Sequence, residues 1–167
     1  MMGGGATTHF RAAAGDPTVQ AGWRAVNGAR TAVTLSAAAK IPATDTTGYG
    51  TGQWDVGGAL SLTRHAGATV FFGLDVSYGH LGDPPTLDFR DPVTATASAS
   101  DVLANTWGAS LFVTGGTSAL RGYAGPVSLG ATLTRLDRGN LWGLTATVGF
   151  TETVPDFSIG ATWRIGF

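Results

Sequence analysis

Large apolar residues alternate with small or polar residues along most of the chain. The clearest early segment covers residues 53–63, where Trp54 and Leu60 occupy even positions and Asp55 and Ser61 occupy odd ones. Successive side chains of a β-strand point to opposite faces of the sheet. This period of two therefore predicts a strand with one apolar face and one face of small or polar residues.

The same alternation recurs in eight further segments. It is strongest at 68–80, 141–151 and 157–167, and it is weaker but of the same kind at 17–27, 31–42, 92–101, 106–115 and 126–135. No segment shows the period of an amphipathic helix. The pattern predicts an all-β protein with nine strands.

The predicted connections between these strands alternate as well. Four are short turns, at 27–30, 64–67, 101–105 and 136–139. The other four are mostly longer and rich in proline or glycine, at 42–52, 81–92, 116–126 and 152–156. Short turns at one end and longer loops at the other are typical of antiparallel up-and-down barrels in the bacterial outer membrane, with the loops outside.

Bacterial outer-membrane barrels usually have an even number of strands, and nine is odd. Residues 5–14 can supply a tenth strand, with Phe10 on the apolar side and His9 and Arg11 on the other side. We expect ten strands, with eight as the alternative, in a single domain that covers residues 1–167. In that domain, residues 1–15 are either the first strand or a disordered segment.

Composition bears on which of the two faces meets water. Hydrophobic residues make up 43% of the chain and charged residues only 13%, with 26 glycines but a single lysine, Lys40, and a single glutamate, Glu152. A soluble domain normally carries about twice this share of charge. The alternation fits two arrangements: a soluble barrel or sandwich whose core is the apolar face, and an inverted barrel whose apolar face meets lipid.

Charge placement favours the inverted barrel. The charged residues inside the clear strands all share the face of small residues: Arg24, Lys40, Asp55, Asp75 and Arg164. The five tryptophans share the opposite face: Trp23, Trp54, Trp107, Trp142 and Trp163. Trp54, Trp107 and Trp142 lie at strand starts, as the aromatic belts of membrane barrels do, whereas Trp23 and Trp163 lie further in. With Phe167, the tryptophans are the predicted membrane-interface residues.

The sequence has no segment that could cross a membrane as a helix. No window approaches the roughly 18 consecutive apolar residues that a transmembrane helix needs. A closed β-barrel is the remaining structure that satisfies its backbone groups within a bilayer. The first residues, MMGGGATTHFRAAAGD, lack the basic start and the apolar stretch of a secretory signal. We therefore expect that a signal has been removed or that this start is not the native one.

Four segments carry motifs that can be compared with known barrels. They are Lys40-Ile41-Pro42, GYGTGQWDVGGALSLT (48–63), GHLGDPPTLDFRDP (79–92) and VPDFSIGATWRIGF (154–167). Their strand start, loop and ending resemble a family of bacterial outer-membrane barrels catalogued under the MetA pathway of phenol degradation. The resemblance covers roughly residues 15–167 and leaves the family's N-terminal part unmatched. It implies uptake linked to the degradation of aromatic compounds, and the last strand, ending at Phe167, resembles the signal that the outer-membrane insertion machinery recognises.

The charged residues suggest one paired site. Lys40 lies near the loop end of its predicted strand and Asp55 near the loop end of the next, so as antiparallel neighbours they can form an ion pair. With Asp75 and Arg24, such a pair can set the charge of a solute path. It can also serve only to neutralise enclosed charges, and we favour this structural role.

The loop at 82–92 mixes rigid prolines with apolar and charged side chains. It can fold inward and constrict a lumen, or it can lie outside, where it caps the rim or binds a partner. Its candidate constriction residues are Asp83, Pro84, Pro85, Asp88, Phe89 and Arg90.

Other kinds of chemistry find little support in the sequence. The chain has no cysteine, and its three histidines, His9, His65 and His80, show no metal-ligand spacing. It has no Gly-X-Ser-X-Gly motif, and the ten basic and eleven acidic residues nearly cancel, which argues against a nucleic-acid surface. We expect no enzyme activity, no cofactor and no metal.

The sequence thus predicts a barrel in the bilayer of the bacterial outer membrane that passively admits small solutes. The resemblance implies that aromatic or hydrophobic compounds are among them. The inward positions are mostly threonine, serine, glycine and alanine, with Phe71 and Phe112 as the large exceptions. The alternative is a non-conducting barrel that acts through its loops as a membrane anchor, scaffold or adhesin.

Overall fold

The computed structural model of the protein describes residues 16–43, 52–82, 89–104 and 106–165. Within these ranges the chain forms nine β-strands and no helix. The strands are β1 (Thr18–Asn27), β2 (Thr31–Lys40), β3 (Asp55–His65), β4 (Val70–His80), β5 (Val93–Ala104), β6 (Trp107–Gly116), β7 (Val127–Asp137), β8 (Asn140–Gly149) and β9 (Phe157–Arg164). The prediction of an all-β protein with these nine strands is confirmed.

The nine strands form one antiparallel sheet in which each strand pairs with its neighbours in sequence, from β1 to β9. The connections of two to four residues at one end of the sheet join neighbouring strands as hairpins, which makes those strands antiparallel. Within the described residues, β1 pairs only with β2 and β9 only with β8, so both outer strands have an unpaired side. The predicted tenth strand at 5–14 lies outside the described residues, and barrel closure and the total number of strands remain predictions.

The two margins of the sheet differ in the length of their connections. We call the margin with the turns at 28–30, 66–69, 105–106 and 138–139 the turn edge, and the margin with the segments at 41–54, 81–92, 117–126 and 150–156 the loop edge. The β7–β8 turn shows how tightly the turn edge is built. Its two central residues, Arg138 and Gly139, have φ angles of 48° and 86°, which is the geometry that joins two twisted strands through two residues.

Strand pairing assigns each paired strand residue to one of two faces. One hydrogen-bonded row defines what we call the apolar face: Trp23, Leu35, Leu60, Val76 and Ala95. The adjacent row defines the small-residue face: Arg24, Thr34, Ser61, Asp75, Thr96 and Thr114. The alternation in the sequence is therefore preserved across the sheet, because paired residues of antiparallel strands lie on the same side.

The sheet has no hydrophobic core within the described residues. None of their hydrophobic side chains is buried, and large ones on the apolar face, such as Leu60 and Leu144, are 42% and 54% exposed. Along β3 the small-residue face is the less exposed of the two. A layer of this kind lacks the burial that stabilises a soluble domain, so its apolar side requires another apolar medium or surface.

One large side chain packs on the small-residue face. The ring of Phe112 on β6 lies directly over Gly130, its register partner on β7. A Cβ atom at Gly130 would clash with the Cζ atom of this ring. Glycine is therefore required at this position as long as the ring keeps its place.

We predict that Gly130→Ala destabilises the sheet by about 1–3 kcal/mol, because the added methyl group displaces the Phe112 ring. Gly160→Ala is the matched control, since Gly160 lies on the same face of β9 and a Cβ there meets nothing within 4 Å. Urea unfolding followed by tryptophan fluorescence measures both. The packing explanation fails if the two variants lose equal stability, or if Gly130→Ala costs as much in a Phe112→Ala background.

Candidate functional site

The small-residue face carries the charged residues that the sequence assigned to a solute path. Asp75 lies between Ser61 and Thr96 in the middle of the sheet, and Arg24 lies opposite Thr34. Arg164 is at the turn edge on the outermost strand, opposite Leu141. The three charges are spread over the face and form no common cluster, whereas Lys40 and Asp55 lie together at the loop edge.

Lys40 and Asp55 form the cross-strand ion pair that the sequence predicted. They are register partners in β2 and β3, and Lys40 Nζ lies 2.7 Å from Asp55 Oδ2. A second carboxylate joins them, because Asp16 Oδ2 lies 3.7 Å from the same nitrogen. The side chain of Asp16 is only 3% exposed. This cluster ties the chain before β1 to the loop ends of β2 and β3.

The same cluster also holds the loop that follows β4. The backbone N–H of Gly82 donates a hydrogen bond to Asp55 Oδ1 at 3.0 Å. On the other side, the N–H of Ala43 donates to Asp16 Oδ1 at 3.1 Å. Asp55 therefore has two functions at once, since one oxygen neutralises Lys40 and the other anchors a loop at the edge of the small-residue face.

Hydroxyl groups pair across the strands on the other half of this face. The distances between their oxygens are 2.9 Å for Thr96–Thr114, 3.0 Å for Ser100–Ser110 and 2.9 Å for Thr132–Thr145. The pairs connect β5 with β6 and β7 with β8. They give this half of the face a polar but uncharged surface, in contrast to the half formed by β1–β4.

All five tryptophans lie on the apolar face or continue its parity, as the sequence predicted. Trp107, Trp142 and Trp163 share one hydrogen-bonded row near the turn edge. Trp54 lies at the loop edge, just before β3. The expectation that Trp163 lies further in is wrong, because the register of β8 and β9 brings it level with Trp142. Their rings stack with centroids 5.0 Å apart and planes 5° from parallel.

An arginine that was not predicted as a site residue completes this row. Arg135 on β7 pairs with both Trp107 and Trp142. Its guanidinium carbon lies 5.5 Å from the centre of the Trp107 ring, which is within the range of a cation–π contact. The sequence did contain one sign of this site, an arginine at a position of the alternating pattern where an apolar residue is expected.

Tyr78, His80 and Asp91 form a second cluster that the sequence analysis missed. Tyr78 OH donates a hydrogen bond of 2.5 Å to Asp91 Oδ2, and His80 Nδ1 lies 3.0 Å from Asp91 Oδ1. Tyr78 and His80 share the apolar side of β4, two residues apart, which was the only sequence signal. The bond from Tyr78 is the main cause that holds the pKa of Asp91 below its ordinary value, although partial loss of hydration opposes it.

The loop residues proposed for a constriction divide into two groups. Asp83, Pro84, Pro85 and Asp88 lie outside the described residues, as does Phe167. Phe89 forms an isolated antiparallel bridge with Leu120, and the N–H of Arg90 donates to the carbonyl of Ala119 at 2.8 Å. These contacts join the end of the β4–β5 loop to the β6–β7 loop, as expected of a loop that caps the rim.

Neither a metal-binding group nor a membrane-spanning helix is found in the described residues. They contain no group of three histidine, cysteine or acidic residues able to hold a metal ion. In the same part of the chain no helix is long and apolar enough to cross a membrane.

Comparisons with known proteins assign no family to this chain. No protein-family model matches the chain, and a search of curated proteins finds no match. The family resemblance noted in the sequence therefore stays a prediction.

The contacts of Asp91 predict a pH dependence. Tyr78→Phe should raise the pKa of Asp91 towards 3.8, because it removes the principal hydrogen bond to the carboxylate. In the unaltered protein this pKa is lower in the folded than in the unfolded state. The contribution of the cluster to stability is therefore complete above the ordinary carboxyl value, and it is lost as the pH falls through the lowered folded value.

A carboxyl ¹³C NMR titration of Asp91 measures this shift. Tyr123→Phe, in the β6–β7 loop, is the control and should leave the pKa of Asp91 unchanged. An identical Asp91 titration curve in the Tyr78→Phe variant would refute the assignment.

Proposed function

We propose that the chain forms a closed β-barrel in the bacterial outer membrane, with the apolar face against lipid and the small-residue face around the axis. The observation that carries the proposal is the exposure of most large side chains of the apolar face, without a hydrophobic core in the described residues. Soluble monomers rarely expose contiguous apolar patches beyond a few hundred Å². A soluble barrel would instead bring Leu60 and Leu144 together inside, and both are largely exposed.

Closure follows from the cost of unpaired backbone in a bilayer. The free sides of β1 and β9 carry N–H and C=O groups that lipid cannot satisfy, and each such group costs several kcal/mol in hydrocarbon. Pairing β1 with β9 directly, or through a strand formed by residues 5–14, removes both edges. The second route gives the even number of strands that is usual for these barrels.

The proposed activity is passive admission of small solutes along the small-residue face. Side chains such as Thr96, Ser100 and Thr132 are short, and each forms a hydrogen bond with a hydroxyl on the next strand, which leaves the β5–β8 part of the wall polar but uncharged. Lys40 and Asp55 neutralise each other at the loop edge. A wall of this kind selects mainly by size, and it requires no catalytic group and no cofactor. Aromatic or hydrophobic compounds are the solutes that the family resemblance implies.

The contacts at the loop edge favour a second candidate function, a non-conducting barrel that serves as an anchor, scaffold or adhesin. Gly82 is held by Asp55, and Phe89 is bridged to Leu120. Loops joined in this way can form a fixed external surface and close the path beneath them. The two candidates share one fold and differ in whether the axis conducts.

Substitution of neighbouring residues on β3 tests the orientation of the faces. Leu60→Arg should cost about 2–4 kcal/mol of folding stability in phospholipid vesicles, because Leu60 lies in the middle of the strand on the proposed lipid side. Ala59→Arg, one residue away on the small-residue face, should cost much less. Urea titration of the vesicle-inserted protein measures both, and equal losses would contradict the proposed orientation.

Conductance in planar bilayers separates the channel from the non-conducting barrel. The channel predicts stepwise conductance, with a reversal potential that Asp75→Asn shifts towards anion preference, because Asp75 is the carboxylate in the middle of the wall. Asp137→Asn, at the end of β7 on the turn edge, is the control and should not shift it. Inserted protein without conductance would support the second candidate and end the channel proposal.

A further inference from the structure

A small pocket surrounds Arg135 on the apolar face near the turn edge. It has a volume of about 250 Å³, and its lining includes Trp107, Leu133, Arg135 and Trp142. The guanidinium carbon lies 5.5 Å from the centre of the Trp107 ring. No carboxylate forms an ion pair with Arg135 within the part of the chain that the structure describes. The pocket therefore presents a cation that has aromatic neighbours but no counter-ion.

A longer apolar groove continues from this pocket. Its volume is about 520 Å³. Leu133 and Leu144 line both the groove and the Arg135 pocket, so the two spaces adjoin. The groove extends over β4–β8, because short alanines such as Ala131 and Ala146 lie beside the longer side chain of Leu111. Its surface is almost entirely hydrocarbon.

We propose that the pocket and the groove together bind one phospholipid molecule. The phosphodiester lies against the Arg135 guanidinium, beside the rings of Trp107 and Trp142, and one acyl chain lies in the groove. This inference rests on the proposed function, since the site faces lipid only if the apolar face does. Arginine offers a fork of N–H donors that matches a phosphate, and tryptophan prefers the level of lipid head groups.

The combination of pocket and groove favours a lipid over free phosphate. A cation alone would attract any anion, but an apolar groove that opens from it accommodates a chain attached to that anion. Both parts lie on the apolar face and on one continuous surface. Free phosphate would leave the groove unfilled, and a hydrocarbon without a head group would leave Arg135 without a counter-ion.

Asp101 narrows the choice of head group. It lines the turn-edge end of the groove. A carboxylate near the head group disfavours a lipid with several phosphates and favours one whose phosphate is accompanied by an ammonium group. The site therefore suits a phosphoethanolamine lipid better than a lipid with two phosphates.

Native mass spectrometry of the detergent-released, folded chain measures lipid retention. The protein is first inserted into vesicles of phosphatidylethanolamine with a minor share of a diphosphate lipid, cardiolipin. We expect one retained phosphatidylethanolamine per chain. Arg135→Gln should weaken its retention roughly tenfold, since a hydrogen-bonded charge pair is lost. Arg138→Gln removes the same charge from the turn of the same hairpin and should leave retention unchanged.

A second pair of variants tests the groove. Ala131→Leu fills it and should reduce retention to a similar extent, whereas Ala95→Leu adds the same side chain to the apolar face outside the groove and should not. Inorganic phosphate added at millimolar concentration should not displace the lipid. Displacement by phosphate would overturn the lipid assignment, and preferential retention of cardiolipin would overturn the choice of a phosphoethanolamine head group.

Equal retention of phosphatidylethanolamine by all four variants would also overturn the lipid assignment. The heat-dependent electrophoretic mobility of the vesicle-inserted protein shows separately whether a folded barrel forms. If the barrel inserts but the variants do not differ, the lipid site is wrong and the proposed function stands. If no barrel inserts, the proposed function itself has failed.

Discussion

The apolar face of the sheet packs against nothing in the described part of the chain, and the rest of the structure depends on this exposure. A single antiparallel layer satisfies its backbone hydrogen bonds strand by strand, but it buries little apolar surface of its own. The stabilisation that a soluble domain takes from its core must here come from the surroundings of the sheet. This constraint explains why short residues and mid-strand charges such as Asp75 lie on one face, while leucines and tryptophans collect on the other.

The two free edges impose a second constraint of the same kind. The outer sides of β1 and β9 leave backbone groups that need partners, and an apolar environment makes that need more severe. Closure and lipid exposure therefore support each other in the proposed barrel. A closed sheet removes the unpaired groups, and the lipid around it covers the apolar side chains that no core receives.

The turn edge and the loop edge differ in chemistry as well as in connection length. The turn edge carries the row of Trp107, Arg135, Trp142 and Trp163, in which aromatic rings surround a cation. The loop edge carries the Lys40–Asp55–Asp16 cluster and the bonds that hold Gly82 and Asp91. In the proposed orientation the first set meets lipid head groups, while the second organises the loops above the solute path.

The sequence by itself determined the strands, their faces and the short-range pairs. Alternation with a period of two gives the face of every residue, and hairpin connections make consecutive strands antiparallel, so the Lys40–Asp55 pair could be predicted from its positions beside one loop. The strand order confirmed by the structure follows from the same local rules.

Only the tertiary structure decided which distant residues lie level with one another. Trp163 is level with Trp142, and Arg135 lies between two tryptophans, because of the register in which β6, β7, β8 and β9 pair. The contacts of Tyr78 with Asp91 and of Phe112 with Gly130 likewise depend on how distant parts of the chain are brought together. The period of a strand fixes the side to which a residue points, whereas its height relative to the next strand depends on the pairing, which a one-dimensional pattern does not contain.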